Sequence, residues 1–188
     1  MKPCLLCGEL SCRESLDLGL QPVSHHFISD DEEGERVRIA LGYCERCGQV
    51  QMTSPIPVEL LRPRFEWIKY NEPEKHLDFL VHFLKALPGM TPESMICGVS
   101  YKEDSTLRRF REGGFQKTWR IDAGRDLGIL DPRSGIETIQ EYVRPGIVSA
   151  LHKKYGVPDV VIARHIIEHA YQPMEFLATL RKLLHPKG

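Results

Sequence analysis

The chain has 188 residues, of which 41% are hydrophobic and 27% charged, and its formal net charge is −1. This is ordinary usage for a folded protein with a packed core. A charge this close to neutral removes the global electrostatic case for a nucleic acid or an anionic membrane surface as partner. No run of about 18 apolar residues is present to cross a bilayer. The start, Met1 to Cys7, lacks the apolar stretch of a secretory signal, so a cytoplasmic chain is expected, with its six cysteines reduced.

Residues 1–54 hold five of the six cysteines, together with Gly8, Gly19, Gly34, Gly42 and Gly48. Arg36–Leu41 and Gln49–Thr53 predict short strands, and the acidic run from Asp30 to Glu35 predicts a solvated loop. The expectation is a small β-rich module. Within it, Cys4 and Cys7, then Cys44 and Cys47, form two Cys-x-x-Cys pairs separated by 36 residues. A two-residue gap lets both thiolates of a pair face one point, and Gly8 and Gly48 relieve the crowded backbone just beyond. Four sulfurs on two such turns suit tetrahedral Zn²⁺ at about 2.3 Å. A closed four-sulfur shell leaves no open coordination position, so the zinc is structural. Two disulfides or a redox pair are the competing assignments, and Cys12 is expected to be a fifth, non-ligating thiol. The metal would hold together a module too small to bury enough apolar surface alone.

Residues 55–93 open with Pro55 and Pro57 and become helical, with His76, Leu80, Phe83, Leu84 and Leu87 at helical spacing and Pro88-Gly89 as the stop. A connector packed on the next domain is predicted. From residue 94 to 188, strand and helix signals alternate. Ser94–Val99, Thr118–Ile121, Ile136–Gln140 and Pro158–Ala163 predict four strands. Ser105–Glu112, Pro145–Tyr155 and a final segment carrying Phe176, Leu177, Leu180, Leu183 and Leu184 predict helices. Such alternation argues for a parallel sheet of the doubly wound kind.

Three stretches carry a family resemblance. The order Cys4-x-x-Cys7, then Asp17-Leu-Gly-Leu-Gln-Pro-Val-Ser24, then Gly42-Tyr-Cys44-x-x-Cys47-Gly-Gln-Val-Gln51 resembles the zinc-binding N-terminal domain of sugar C-methyltransferases dependent on S-adenosylmethionine. The resemblance continues more loosely into the connector and the α/β region. It implies an α/β architecture: a four-cysteine, β-rich zinc module (1–54), a helical connector (55–93) and a partial Rossmann-like class I methyltransferase sheet (94–188). Leu183-Leu-His-Pro-Lys-Gly188 resembles the turn leading into the fifth strand of such a sheet. By that resemblance, the later strands and a further α/β domain lie outside this sequence. Strands one to four would then run in the order 3-2-1-4, with Pro158–Ala163 an uncovered apolar edge awaiting a partner, a second copy or a missing domain.

Ligands of open α/β sheets bind beyond the carboxyl ends of the strands, and the resemblance transfers cofactor contacts to the turns there. After strand one, Gly98 matches the family's glycine loop, with Ser100 inside the loop and Asp104 aligned to a family aspartate. Ile96 stands where an acid usually precedes, and Ser105 replaces the second glycine. Asp122, after strand two, stands where an acidic side chain accepts the ribose hydroxyls; the alternative is a helix N-cap over Gly124–Leu127. Ala163-Arg164-His165 and Glu168-His169 resemble the family's Ala-Arg-Asn-x-x-x-His segment, with His165 in place of Asn. Carbon methylation beside a carbonyl needs a base titrating near neutrality, which favours histidine. The resemblance points to His169 as that base, with Glu168 orienting it or holding a substrate hydroxyl; site-lining or ordinary packing are its other assignments. Phe65 and Trp67 replace two family tyrosines in the connector, leaving Tyr70 and His76 to contribute polar groups toward the substrate; aromatic packing between domains is the alternative for this segment.

The implied function is methyl transfer from S-adenosylmethionine to carbon of a nucleotide-linked sugar or similar small molecule. A methyltransferase-fold protein that binds or assembles without catalysis, and a zinc-ribbon interaction protein, are the alternatives at this point.

Overall fold

The computed structural model describes residues 1–23, 26–62, 73–131 and 133–186. Its architecture is mixed α/β, with a small antiparallel sheet and a separate three-stranded parallel sheet.

The antiparallel sheet has the order β1-β2-β3, with β1 at Cys12–Pro22, β2 at Arg36–Cys44 and β3 at Val50–Met52. The two predicted strands are β2 and β3; β1 adds a strand whose period-two signal, Leu16, Leu18 and Leu20, leaves all three side chains exposed. β1 pairs with β2 from Cys12↔Cys44 to Pro22↔Arg36. Lys2 in turn exchanges main-chain hydrogen bonds with Cys12 at 3.0 and 3.1 Å. This register carries the segment beginning at Cys4 alongside Cys44. The acidic stretch from Asp30 to Glu35 is exposed loop, as its charge demands.

The helix α1 spans His76–Lys85, but its buried face is Leu77 and Val81, supported by Leu84. Phe79 and Phe83 are exposed. The predicted stripe is therefore only partly turned to the core: Leu84 packs there and Leu80 is half-buried, while Phe83 and Leu87 are exposed. Both stripes are apolar at 3.6-residue spacing, so periodicity alone does not choose between them.

The parallel sheet runs β5-β4-β6, with β4 at Ile96–Gly98, β5 at Thr118–Arg120 and β6 at Val160–Ile162. Helices lie on both faces. Ile96, Val160 and Ile162 pack toward α1 and toward α2 at Asp104–Glu112, with Phe110 and Phe115. Cys97, Val99 and Val161 pack against the other helices: α3 at Ala123–Leu127, α4 at Ile136–Tyr142, α5 at Val148–Tyr155 and α6 at Pro173–Leu183. Coverage on both sides is what a buried parallel sheet requires.

One expected strand is corrected. Ile136–Gln140 is not a third strand of the sheet but the body of helix α4. Its β-branched residues suggested a strand, yet Ile136, Ile139 and Val143 recur every three or four residues and all enter the core. That spacing satisfies a helix packed on the sheet, whereas a strand would turn one of them outward. The remaining three strands keep the expected order, second, first, fourth.

Candidate metal centre and cofactor crevice

The two Cys-x-x-Cys turns have the same local geometry. In the first, Cys4 N donates to Glu9 O at 2.9 Å and Gly8 N to Cys4 O at 2.9 Å; in the second, Cys44 N donates to Gln49 O at 2.8 Å and Gly48 N to Cys44 O at 2.8 Å. Gly8 and Gly48 close their turns at φ of 77° and 76°, a left-handed conformation that glycine adopts without steric cost. Main-chain N–H groups of Leu6 and Cys7 point at Cys4 Sγ, at 3.4 and 3.5 Å.

The Sγ atoms of Cys4, Cys7, Cys44 and Cys47 all lie within 4.8 Å of one another. Cys4 to Cys47 is 3.6 Å and Cys7 to Cys44 is 3.7 Å. A tetrahedron with arms of about 2.3 Å has edges of about 3.8 Å, so the four sulfurs fit Zn²⁺. All six cysteines are free thiols, which removes the disulfide assignment, and Cys12 stays outside the cluster. The Ser11 hydroxyl, 2.9 Å from Cys44 Sγ, is the main reason that the Cys44 thiol drops to about 6. The Cys47 thiol is pushed up to about 12: the Gln49 N–H favours its thiolate, but desolvation and hydrogen bonds shared with Cys44, Cys4 and Cys7 outweigh it. Four sulfurs this close cannot all be thiolates without a cation among them. Four protein ligands would complete the shell and leave no open position, as in structural zinc sites.

The second group of residues lies at the carboxyl end of the parallel sheet. The registers Gly98↔Arg120 and Gly98↔Ile162 align the three strand ends, so the turns after each begin side by side. Asp122 and Arg164 therefore stand at the same end of the sheet. The Asp122 carboxylate caps α3, accepting Arg125 N at 2.9 Å and the Arg125 guanidinium at 3.2 Å. These bonds hold it down at about 2. The alternative helix-cap role is thus filled; whether the same carboxylate also meets a ribose belongs to the functional proposal below. Asp104 is the first residue of α2, exposed, and accepts Arg120 Nε at 2.7 Å.

Ser100 and Gly98 serve a residue that the sequence reading passed over. Ser100 N and Ser100 Oγ donate to Glu103 Oε2 at 2.6 and 2.9 Å, while Glu103 Oε1 accepts Arg164 N at 2.8 Å. Glu103 is fully buried, and desolvation raises its pKa against the pull of the N–H groups of Arg164 and Ser100. A Cβ at Gly98 would fall 2.7 Å from Glu103 Cβ, so the glycine makes room for this side chain. The signal was available: Ser100-x-x-Glu103 is a capping box ahead of α2.

Ala163 follows β6, and Arg164 extends its guanidinium to Lys102 O at 3.1 Å and Thr106 Oγ1 at 3.2 Å. His165 takes the left-handed region at φ 51°, the one non-glycine to do so among the described residues. Its Nδ1 lies 3.9 Å from Glu168, and His169 Nδ1 lies 3.9 Å from Glu137 on α4. Glu168 thus stands beside His165 rather than His169, and Glu137 is a second acidic residue that the sequence did not single out. Tyr171 follows, donating its hydroxyl to Ile56 O and so tying this loop to the chain just after β3. His76 is the exposed first residue of α1. Tyr70, Phe65 and Trp67 lie outside the described residues.

To S-adenosylmethionine this end of the sheet offers the Asp122 carboxylate as an acceptor, whereas the N–H groups of Ser100 and Arg164, donors that a ligand carboxylate would need, are already bonded to Glu103.

No curated protein matches the chain. Residues 4–61 match the family model Methyltransf_13, described as "Putative zinc binding domain". That match and the four converging sulfurs agree on a zinc-binding module in this part of the chain.

Proposed function

We propose that this protein works in S-adenosylmethionine-dependent methylation at carbon, on a nucleotide-linked sugar or a similar small molecule with a carbonyl beside the reacting carbon. The observation that carries the reading is the methyltransferase-associated zinc module joined to a parallel sheet with Asp122, Arg164, His165, Glu168 and His169 at one end. The sheet would be the front part of a Rossmann-like methyltransferase domain. The open outer edge of β6 among the described residues suits a further strand, from this protein or from a partner.

His169 is about one-third exposed, open enough to meet a substrate, with a carboxylate behind it. As base, it removes the proton from the carbon next to the carbonyl and leaves an enolate. Glu137 lies 3.9 Å from His169 Nδ1 and positions the imidazole from α4. S-adenosylmethionine, when bound, would supply the electrophilic methyl group for that enolate carbon, leaving as the neutral thioether. Asp122 holds the ribose through acceptor positions left free by Arg125. The zinc stays out of the chemistry and holds the module in place.

Isothermal titration of the zinc-loaded protein with S-adenosylmethionine tests the reading. Saturable binding that weakens at least about tenfold in Asp122→Ala is the expected result. Absence of heat from folded protein overturns it.

A further inference from the structure

The crevice between the carboxyl ends of β4 and β6 is the point where the chain leaves the sheet in two directions, toward β5 on one side and from β6 on the other. Open α/β sheets take ligands there, and the anionic part of a ligand usually receives main-chain N–H groups at the start of the first helix. In this protein a side chain of the protein takes them. Glu103 spans the crevice, with one oxygen on Ser100 N and Ser100 Oγ and the other on Arg164 N, 61 residues away.

Capping of the 3₁₀ turn Tyr101–Glu103, which leads into α2, accounts for only half of this arrangement. A capping box needs one carboxylate oxygen returning to the N-cap N–H. The bond from Arg164 N contributes nothing to that cap, because it comes from the far side of the dividing line, after β6. Full burial of a carboxylate is costly unless its oxygens are satisfied, and here both are. Lys102 N uses Ser100 Oγ at 3.2 Å, so the hydroxyl is also occupied from within the chain.

We propose that Glu103 is a specificity-determining residue that excludes ligand carboxylates and phosphates from this crevice, so that the cofactor is held by its adenosine part without a contact to its amino-acid carboxylate. This rests on the preceding reading that an adenosine ligand binds at this end of the sheet. The chemistry is direct. A second anion placed beside Glu103 would meet a like charge, and it would find both main-chain donors already used.

Two ligands that differ only in the amino-acid part test the proposal: S-adenosylhomocysteine, which has it, and 5′-methylthioadenosine, which lacks it. Dissociation constants are measured by titration calorimetry on the zinc-loaded protein, on Glu103→Ala and on Glu103→Gln. The native protein binds the two within about threefold of each other, and Glu103→Ala prefers S-adenosylhomocysteine by about tenfold or more, one charge-assisted hydrogen bond. Affinity for 5′-methylthioadenosine stays the same in all three. Glu103→Gln keeps a capping-box residue and turns an amide N–H toward one of the two donors. It therefore keeps the test decisive should Glu103→Ala fail to fold, and it shifts the preference in the same direction by at least about threefold.

A native protein that already prefers S-adenosylhomocysteine by tenfold overturns the proposal, whether or not the preference is lost in Glu103→Ala; its loss would mean that Glu103 holds the ligand's ammonium. An unchanged ratio in folded Glu103→Gln also overturns it. Failure of the native protein to bind 5′-methylthioadenosine at all strikes the underlying reading of the crevice, and the exclusion proposal falls with it.

Discussion

The imidazole of His169, on the turn after β6, faces Glu137 on α4 at 3.9 Å, while the adjacent Glu168 turns to His165. Neighbours in sequence are therefore not partners in space. On the proposed chemistry, His169→Ala lowers kcat about a hundredfold or more, the usual contribution of a general base. Glu137→Gln lowers kcat by a smaller factor at unchanged KM, since it acts through His169, and Glu168→Gln changes kcat less than Glu137→Gln. Steady-state methylation kinetics on the three variants check the order; a larger loss in Glu168→Gln than in Glu137→Gln contradicts the pairing.

Zinc should be inseparable from the fold of residues 1–54. Cys44→Ser removes one of four sulfurs and the target of the Ser11 hydroxyl, so the antiparallel sheet melts and the metal is lost. Ser11→Ala keeps the shell but removes the 2.9 Å contact to Cys44 Sγ, and zinc affinity drops about 10–100-fold, as for other outer-shell contacts. Metal content by atomic absorption and competition with a chromogenic chelator measure the two effects. Retained zinc and an unchanged melting curve in Cys44→Ser contradict the metal site.

Asp122 provides a pH-dependent part of the stability. Its carboxyl is held at about 2 by the Arg125 N–H and guanidinium, below the value of about 3.9 in an unfolded chain. A depressed acid stabilises the fold above the unfolded value and loses that contribution as pH falls through the folded one. Asp122→Ala costs about 1 kcal/mol at neutral pH, the usual worth of an N-cap. The gap between native and variant protein narrows on acidification from about pH 4 toward pH 2, which urea denaturation at several pH values detects.

His165 pays a conformational cost at φ 51°. Asparagine tolerates this region as histidine does, and glycine enters it freely. His165→Asn is therefore near neutral in thermal denaturation, whereas His165→Val loses about 1–2 kcal/mol. Equal stability of the Val and Asn variants would show that the turn relaxes.

The metal module is legible in one dimension because its determinants are local. A Cys-x-x-Cys-Gly turn is specified by five consecutive residues, and Gly8 and Gly48 adopt the conformations that those turns need. The strand ends carrying Asp122 and Arg164 were legible for a similar reason, since short apolar runs between turn signals mark parallel strands. The capping box at Ser100 and Glu103 is equally local and equally legible.

What the chain decides for itself, then, is whatever three or four neighbouring residues can enforce: the knuckles, the caps and the buried strands. Tertiary packing decides the rest. It makes a helix of Ile136–Tyr142, because three apolar side chains reach the core only at helical spacing. It turns α1 onto Leu77 and Val81 rather than the equally apolar Phe79 and Phe83. It brings Arg164 N to a carboxylate 61 residues earlier, a contact set by the pairing of β4 with β6 and by no local preference.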